Sequence, residues 1–200
     1  MLSSQKRALA VLRRHIGFAR TRDFEQAGVG RWVLSALVKA GVIERVRHGL
    51  YRLPDVPALD HRDMVEACAA VPRGVVFLLS ALSYYDLTTY SPWRVSLAVQ
   101  SKAKVVLPQS PPIELHYLNP QYYELGVITL DLPAGKIQIY DREKTVCDCL
   151  RYRNRIGLDL ALEGLKNYLR SPDRNTDKLL RYARLCRIEQ LLRRYLEAML

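Results

Sequence analysis

Apolar residues along the first fifty positions recur at helical spacing and then switch to the spacing of short strands. Within Gln5–Ala19, Leu9, Leu12 and Ile16 fall on one side and Lys6, Arg13 and Arg14 on the other, which predicts an amphipathic helix. Thr21 is placed to cap a short helix over Asp23–Ala27, and Gly28-Val29 makes a tight turn after it. Gly30–Ala40 carries Leu34, Leu37 and Val38 at i, i+3 and i+4, the stripe of a helix that buries one face. Arg31, Trp32, Ser35, Ala36 and Lys39 lie off that stripe, with Trp32 read as a core residue or packing platform. Gly41 closes the helix, and Val42, Ile43 and Val46 answer Leu50, Tyr51 and Leu53 across Arg47-His48-Gly49, a hairpin around a glycine turn. Two helices joined by a short Gly-bearing turn and followed by a hairpin form a winged helix-turn-helix.

Pro54–Asp60 holds two prolines in four residues and reads as a linker. Asp60 then caps a helix with Met64, Val65 and Cys68 inward, ending at Pro72-Arg73-Gly74. Val75–Leu79 reads as a buried strand and Ala81–Leu87 as a short helix, while Trp93–Val99 alternates as a half-buried strand does. Further strands are expected at Val105–Leu107, Ile113–Leu118, Val127–Leu132 and Lys136–Tyr140, the last two joined by Pro133-Ala134-Gly135. Asp141 caps a helix over Arg142–Arg153, and helices over Leu158–Leu169, Thr176–Arg184 and Ile188–Met199 form a helical tail. The expected fold class is α+β: a winged helix-turn-helix over residues 1–53, a linker over 54–60, and a mixed β-sheet domain with a helical C-terminal tail over 61–200.

Charge narrows the partners. The formal net charge is +11, with 11 Lys/Arg against 5 Asp/Glu in residues 1–60, 6 against 7 in 61–141 and 14 against 8 in 142–200. A basic excess at both ends around a near-neutral middle favours nucleic acid as the partner class. In a helix-turn-helix the second helix enters the major groove with its N-terminal residues at the base edges. Arg31 is therefore the first candidate for base readout, since a guanidinium pairs with guanine O6 and N7. Ser35 follows one turn on, and Lys39 is suited to phosphate. On the hairpin, Arg45, Arg47 and His48, with Arg52 beside them, would reach DNA backbone or minor groove, and Arg20 and Arg22 can sit on phosphates beside the preceding helix. Each of these cations has a plainer reading as a solvated surface charge, and winged helices also dock proteins.

Other chemistry finds little support. The longest apolar run, Val75–Leu82 broken by Ser80, is too short to span a bilayer, and Met1–Arg7 lacks the apolar run of a signal peptide, so a cytoplasmic chain with no membrane partner is expected. Cys147 and Cys149 are separated by one residue and Cys68 and Cys186 stand alone, so reduced, buried thiols are expected. Asp141 and Glu143 could pair on a metal as in a nuclease, but a helix cap and a first-turn acid explain them better. His15, His48, His61 and His116 are scattered, and there is no Gly-rich phosphate loop or nucleophile elbow. The expectation is no enzyme, no metal and no cofactor.

Three stretches taken in order resemble the AbiEi family, the antitoxins of bacterial type IV toxin–antitoxin systems. Gly41-Val42-Ile43-Glu44-Arg45-Val46-Arg47-His48-Gly49-Leu50-Tyr51-Arg52-Leu53 is similar to the family's G-x-I-x-R-x-x-x-G-x-Y-x-L. Leu79–Thr88 is similar to S-x-A-L-x-x-x-G-L-T, with Asp86 where the family has Gly, and Tyr140–Asp148 to x-x-x-E-[KR]-T-[LIV]-x-D. Gly30 stands where relatives often place a capping Ser. The resemblance implies a repressor that binds inverted repeats in its own operator through the winged helix. It also implies a C-terminal domain that opposes a nucleotidyltransferase-like toxin, with copies associating on the DNA. On that reading Lys166, Arg170, Lys178, Arg181, Arg184, Arg187, Arg193 and Arg194 could face an acidic toxin surface or further phosphates. They could equally be the solvated side of helices that bury Leu165, Leu169, Leu180, Leu192 and Leu196. A transcription factor whose second domain senses some other ligand or partner is the alternative.

Overall fold

The first helix, α1 (Leu2–Arg14), ends short of Ala19, the limit that the apolar spacing predicts. Gly17 takes φ +90° and donates to Leu12 O at 2.7 Å, so the chain leaves the helix and Phe18–Arg20 becomes a strand, β1. The computed structural model describes residues 2–15, 17–54, 61–132 and 134–199, and the side chains of all of these except residues 2, 3, 47 and 199. Ile16, the bulk of the expected linker with the Asp60 cap, and Pro133 of the expected hairpin turn lie outside the described residues.

After β1 come α2 (Thr21–Gln26), α3 (Arg31–Lys39), β2 (Glu44–Arg47) and β3 (Leu50–Arg52). The three strands form an antiparallel sheet in the order β1-β3-β2, with Phe18 opposite Arg52 and Glu44 opposite the same Arg52. Thr21 is not the cap of α2. It is the first helical residue, Arg20 precedes it as the cap, and the Asp23 carboxylate reaches back to accept from Arg20 N at 2.7 Å. Leu12, Phe24, Leu34, Leu37 and Ile43 close the core beneath the helices, and Phe24 meets Tyr51 edge to face at 5.7 Å. The compact unit built on this core takes in residues 1–72, 105–112 and 131–137, and so includes α4 (Arg62–Ala70). Arg52 of the hairpin forms ion pairs with Glu44 and with Glu66 of α4, and Arg62 reaches Glu66 at 3.0 Å. Burial works against the charge of Arg52, but the two carboxylates outweigh it and raise its pKa.

A second unit comprises residues 73–104, 113–130 and 138–200. Its strands are β4 (Val75–Val76), β5 (Val95–Gln100), β6 (Ile113–Leu118), β7 (Val127–Leu132) and β8 (Gly135–Tyr140), the last two running into the first unit's residues. The sheet order is β6-β5-β4-β8-β7, with β5 parallel to β6, antiparallel to β4, and β4 parallel to β8. Several expectations are corrected. The strand expected over Val75–Leu79 stops at Val76, because Leu78 takes φ +45° and opens α5 (Leu78–Tyr84). Val95–Val99 is buried on both faces rather than one. Ser96, the polar residue that produced the alternation, is buried with its amide bonded to Ser80 Oγ at 2.9 Å. Val105–Leu107 forms no strand, and Val106 is 83% exposed. Asp86 adopts φ +53°, with its amide bonded to Ser83 O and that of Leu87 to Leu82 O. This left-handed position after a helix suits glycine first and Asp or Asn next, which accounts for the departure at this site of the second motif.

Helices α6 (Pro120–Tyr123), α7 (Arg142–Arg151), α8 (Arg153–Ile156), α9 (Leu158–Arg170), α10 (Thr176–Leu185) and α11 (Glu189–Met199) complete the unit. The helix expected through Arg153 breaks at Tyr152 into α7 and α8. Every residue of α7 from Glu143 to Leu150 is buried. Asp141 caps it by accepting from Lys144 N at 2.9 Å. The same carboxylate accepts from Tyr182 OH at 2.9 Å and from Lys178 Nζ at 3.0 Å. Glu143 accepts from Tyr168 OH at 2.8 Å and from Lys178 at 3.0 Å, so Lys178 belongs to this network rather than to a solvated basic face. Lys144 pairs with Asp148, and Thr145 Oγ1 donates to Tyr140 O at 3.2 Å. The third motif is thus a set of polar side chains that lock α7 to α9, α10 and the end of β8. All four cysteines are free and buried. Burial pushes the Cys147 and Cys149 thiols up and Cys186 to about 11, which keeps these three protonated.

Burial alone would raise the Glu143 carboxyl, but Tyr168 and Lys178 outweigh it and hold its pKa below the ordinary value. Such a group stabilises the fold above its unfolded pKa of about 4.3, and that contribution is lost as pH falls through the lower folded value. Glu143→Gln should therefore lose stability at pH 7, with the gap to wild type narrowing below pH ~4 in acid unfolding followed by circular dichroism. A gap that stayed constant down to pH ~2 would assign the effect to shape instead of charge.

Candidate nucleic-acid interface

The exposed face of α3 is set by its buried one. Val33, Leu34 and Leu37 point into the core, which leaves Arg31, Trp32, Ser35, Ala36 and Lys39 exposed along the other side. Arg31 is the first helical residue and the others continue from it, the arrangement in which the start of a helix can enter a groove. Gly28 makes the preceding turn at φ +70°. Gly30 caps α3 without a side chain, and a Cβ added there would stand 3.1 Å from the Trp32 indole. The indole lies back over the helix start, in the space that a serine cap would need. Trp32 is 65% exposed, which corrects its reading as core and adds a flat apolar surface beside Arg31. The clue in the sequence was the glycine two residues before a tryptophan.

Arg31 is not isolated. Its Nε donates to Glu25 Oε1 of α2 at 2.8 Å, with the two side chains 77% and 46% exposed. A pair this wet contributes little and gives way readily to a phosphate or a base edge. Glu25 nevertheless competes with an anionic ligand for Arg31. Glu25→Gln should tighten binding of a duplex to this face at low salt, and equal affinities in a fluorescence-anisotropy titration would show that Arg31 does not engage the duplex.

On the hairpin, β2 and β3 turn through His48-Gly49, with Gly49 at φ +77° and its carbonyl accepting from Thr21 N at 2.9 Å. The wing is thereby short and fastened to the start of α2. A bulge between Arg45 and Arg47 redirects the strand, and the exposed Arg45 donates to His48 Nδ1 at 2.6 Å. The Arg47 side chain lies outside the described residues. Arg52, counted with the wing cations from the sequence, is committed to Glu44 and Glu66 and is not available. Arg20 is half buried, and its guanidinium reaches Ala69 O at 3.5 Å. Arg22 is exposed, 3.5 Å from Asp23. Arg20 and Arg22 line one cleft of about 440 Å³ together with His15 and Lys136. The structure brings Arg31, Trp32, Ser35 and Lys39 onto one helix face and Arg45 of β2 against His48 of the hairpin turn, while it draws Arg20 and Arg52 partly inward.

Among the described residues no helix is long and apolar enough to cross a membrane, and no group of three His, Cys, Asp or Glu side chains is placed to hold a metal ion. Residues 6–54, the segment that runs from α1 to the end of the hairpin, match the family described as transcriptional regulators, AbiEi antitoxins. The match covers the first of the three motif stretches and supports the resemblance there. No curated protein matches the chain.

Proposed function

We propose that this chain is an antitoxin of a type IV toxin–antitoxin system that binds its own operator through residues 1–53 and represses the operon. Residues 61–200, most of which fall in the second unit, then counteract a nucleotidyltransferase-like toxin, in the cytoplasm and without catalysis of their own. The observation that carries the DNA reading is the exposed α3 face, where Arg31, Ser35 and Lys39 stand beside Trp32 with no acidic residue on the helix itself. Arg31 reads base edges at the helix start, Ser35 contacts the next base or sugar, and Lys39 meets phosphate. Arg45, Arg47 and His48 of the wing lie along the backbone or minor groove, and Arg22, with Arg20 behind it, takes phosphates beside α2. The family match at residues 6–54 supports the regulatory antitoxin reading.

The test is a titration with duplex from the chain's own promoter at several salt concentrations. Four phosphate-neutralising side chains per copy give a slope of log K against log salt near ~−3.6. A flat response would end the DNA reading. The toxin arm has a separate readout: co-expression with the product of the adjacent gene should restore growth, and failure to do so would remove the antitoxin role while leaving repression intact.

A further inference from the structure

The last turn of α10, the first turn of α11 and the start of α8 enclose a cleft of about 520 Å³, a volume in the range of small-ligand sites. Its charged lining is Arg153, Arg184, Arg187 and Arg194 against one carboxylate, Glu189. That carboxylate is already engaged, since Arg184 Nε lies 3.0 Å from both its oxygens and Arg193 NH2 lies 2.9 Å from Oε1. Arg153 donates to Leu150 O at 3.2 Å. Arg187 and Arg194 are exposed, and their guanidiniums have no hydrogen-bond or ion-pair partner among the described residues.

Arg187 also stands where an arginine is costly. It takes φ +58° just past the end of α10, where its amide bonds to Arg184 O at 3.0 Å and that of Ile188 to Ala183 O at 2.9 Å. Glycine is the usual residue at this left-handed position, because a Cβ is strained there. Helix termination alone therefore does not account for arginine. All the cations that line the cleft are arginines, whose planar forks suit phosphate oxygens better than a lysine ammonium does.

We propose that this cleft is an oligophosphate-binding site that holds the di- or triphosphate group of a nucleotide or an inorganic polyphosphate. Arg187 and Arg194 supply the free guanidiniums, and Arg153 and Arg184 share theirs with the ligand. No aromatic side chain lines the cleft, so the phosphates are recognised and the base is not. The site shares no residue with the α3 face, and its failure leaves the operator-binding reading untouched.

Isothermal titration of the full chain with sodium tripolyphosphate, ATP and adenosine tests it. Tripolyphosphate and ATP should bind with similar affinity and adenosine should not bind. Arg194→Ala should weaken tripolyphosphate by roughly tenfold or more, as loss of a charged hydrogen-bond donor does. Arg187→Gly should weaken it likewise while the Tm stays level or rises, because glycine relieves the left-handed backbone; this separates lost recognition from lost folding. Arg170→Ala, on α9 outside the cleft, should leave binding unchanged. Absence of tripolyphosphate binding, or an equal loss in the Arg170 variant, overturns the proposal. So does an Arg187→Gly variant that loses operator affinity but keeps its tripolyphosphate affinity, because the cleft would then belong to the DNA backbone.

Discussion

Lys144→Met should cost about 3–5 kcal/mol of stability at pH 7, measured by urea denaturation. The Lys144 and Asp148 side chains are 0% and 1% exposed and stand one helical turn apart on α7. The ammonium also sits 4.5 Å from the centre of the Tyr140 ring, so it is enclosed on every described side. Removing it strands a carboxylate in the core. Burial already pushes the Asp148 carboxyl up against the pull of Lys144, and without that pull it rises further. A raised folded pKa in an acid means that stability is lost as pH climbs above the unfolded value of about 3.9, so acidification towards that value should recover part of the loss. Lys144→Met with Asp148→Leu should recover much of it at neutral pH, because apolar replacement of both partners removes the unpaired charge. A single variant as stable as wild type would mean that the pair does not hold α7 in place.

Arg31→Ala should weaken operator binding by ~1–3 kcal/mol and relax the base preference at one position of each half-site. The fold should not notice, because the only acidic partner described for Arg31 is an exposed Glu25 and such pairs contribute little. An unchanged Tm with reduced affinity is the expected joint result. Lys39→Ala differs in kind. It should weaken all sequences alike and reduce the salt slope by ~0.9, as removal of a single phosphate-neutralising cation does. If Arg31→Ala weakened every sequence equally, its role would be that of Lys39 and the base reader would have to be sought at Ser35 or Trp32.

The exposed face of α3 was legible because a helix with one apolar stripe has only one other face to offer. Once Leu34 and Leu37 are inside, Arg31, Ser35 and Lys39 must be outside. The same spacing put Trp32 outside, but its size argued for the core; the structure leaves it exposed, with its indole 3.1 Å from where a Cβ on Gly30 would stand. Arg52 departs from expectation in the opposite direction. In sequence it is one more wing cation, and its neutralisation depends on Glu66, on a helix beyond the expected linker. The Asp141 cap was readable from local order, whereas the reach of Lys178 back to Asp141 and Glu143 joins positions on α10 and α7 that share no local pattern.

The chain's own residues determined the elements and their faces: the helix-turn-helix with its hairpin, the α+β order of residues 61–200, and the cationic side of α3. These are local matters, decided by spacing, by capping side chains and by glycines that accept positive φ. Tertiary structure alone decided which cations stay free, that β5 is buried on both faces, and that α7 lies at the centre of the second unit with an ion pair inside it. Those outcomes depend on which distant side chains arrive within a few ångströms of one another, and charge neutralisation and burial are properties of that encounter, set by no segment taken singly.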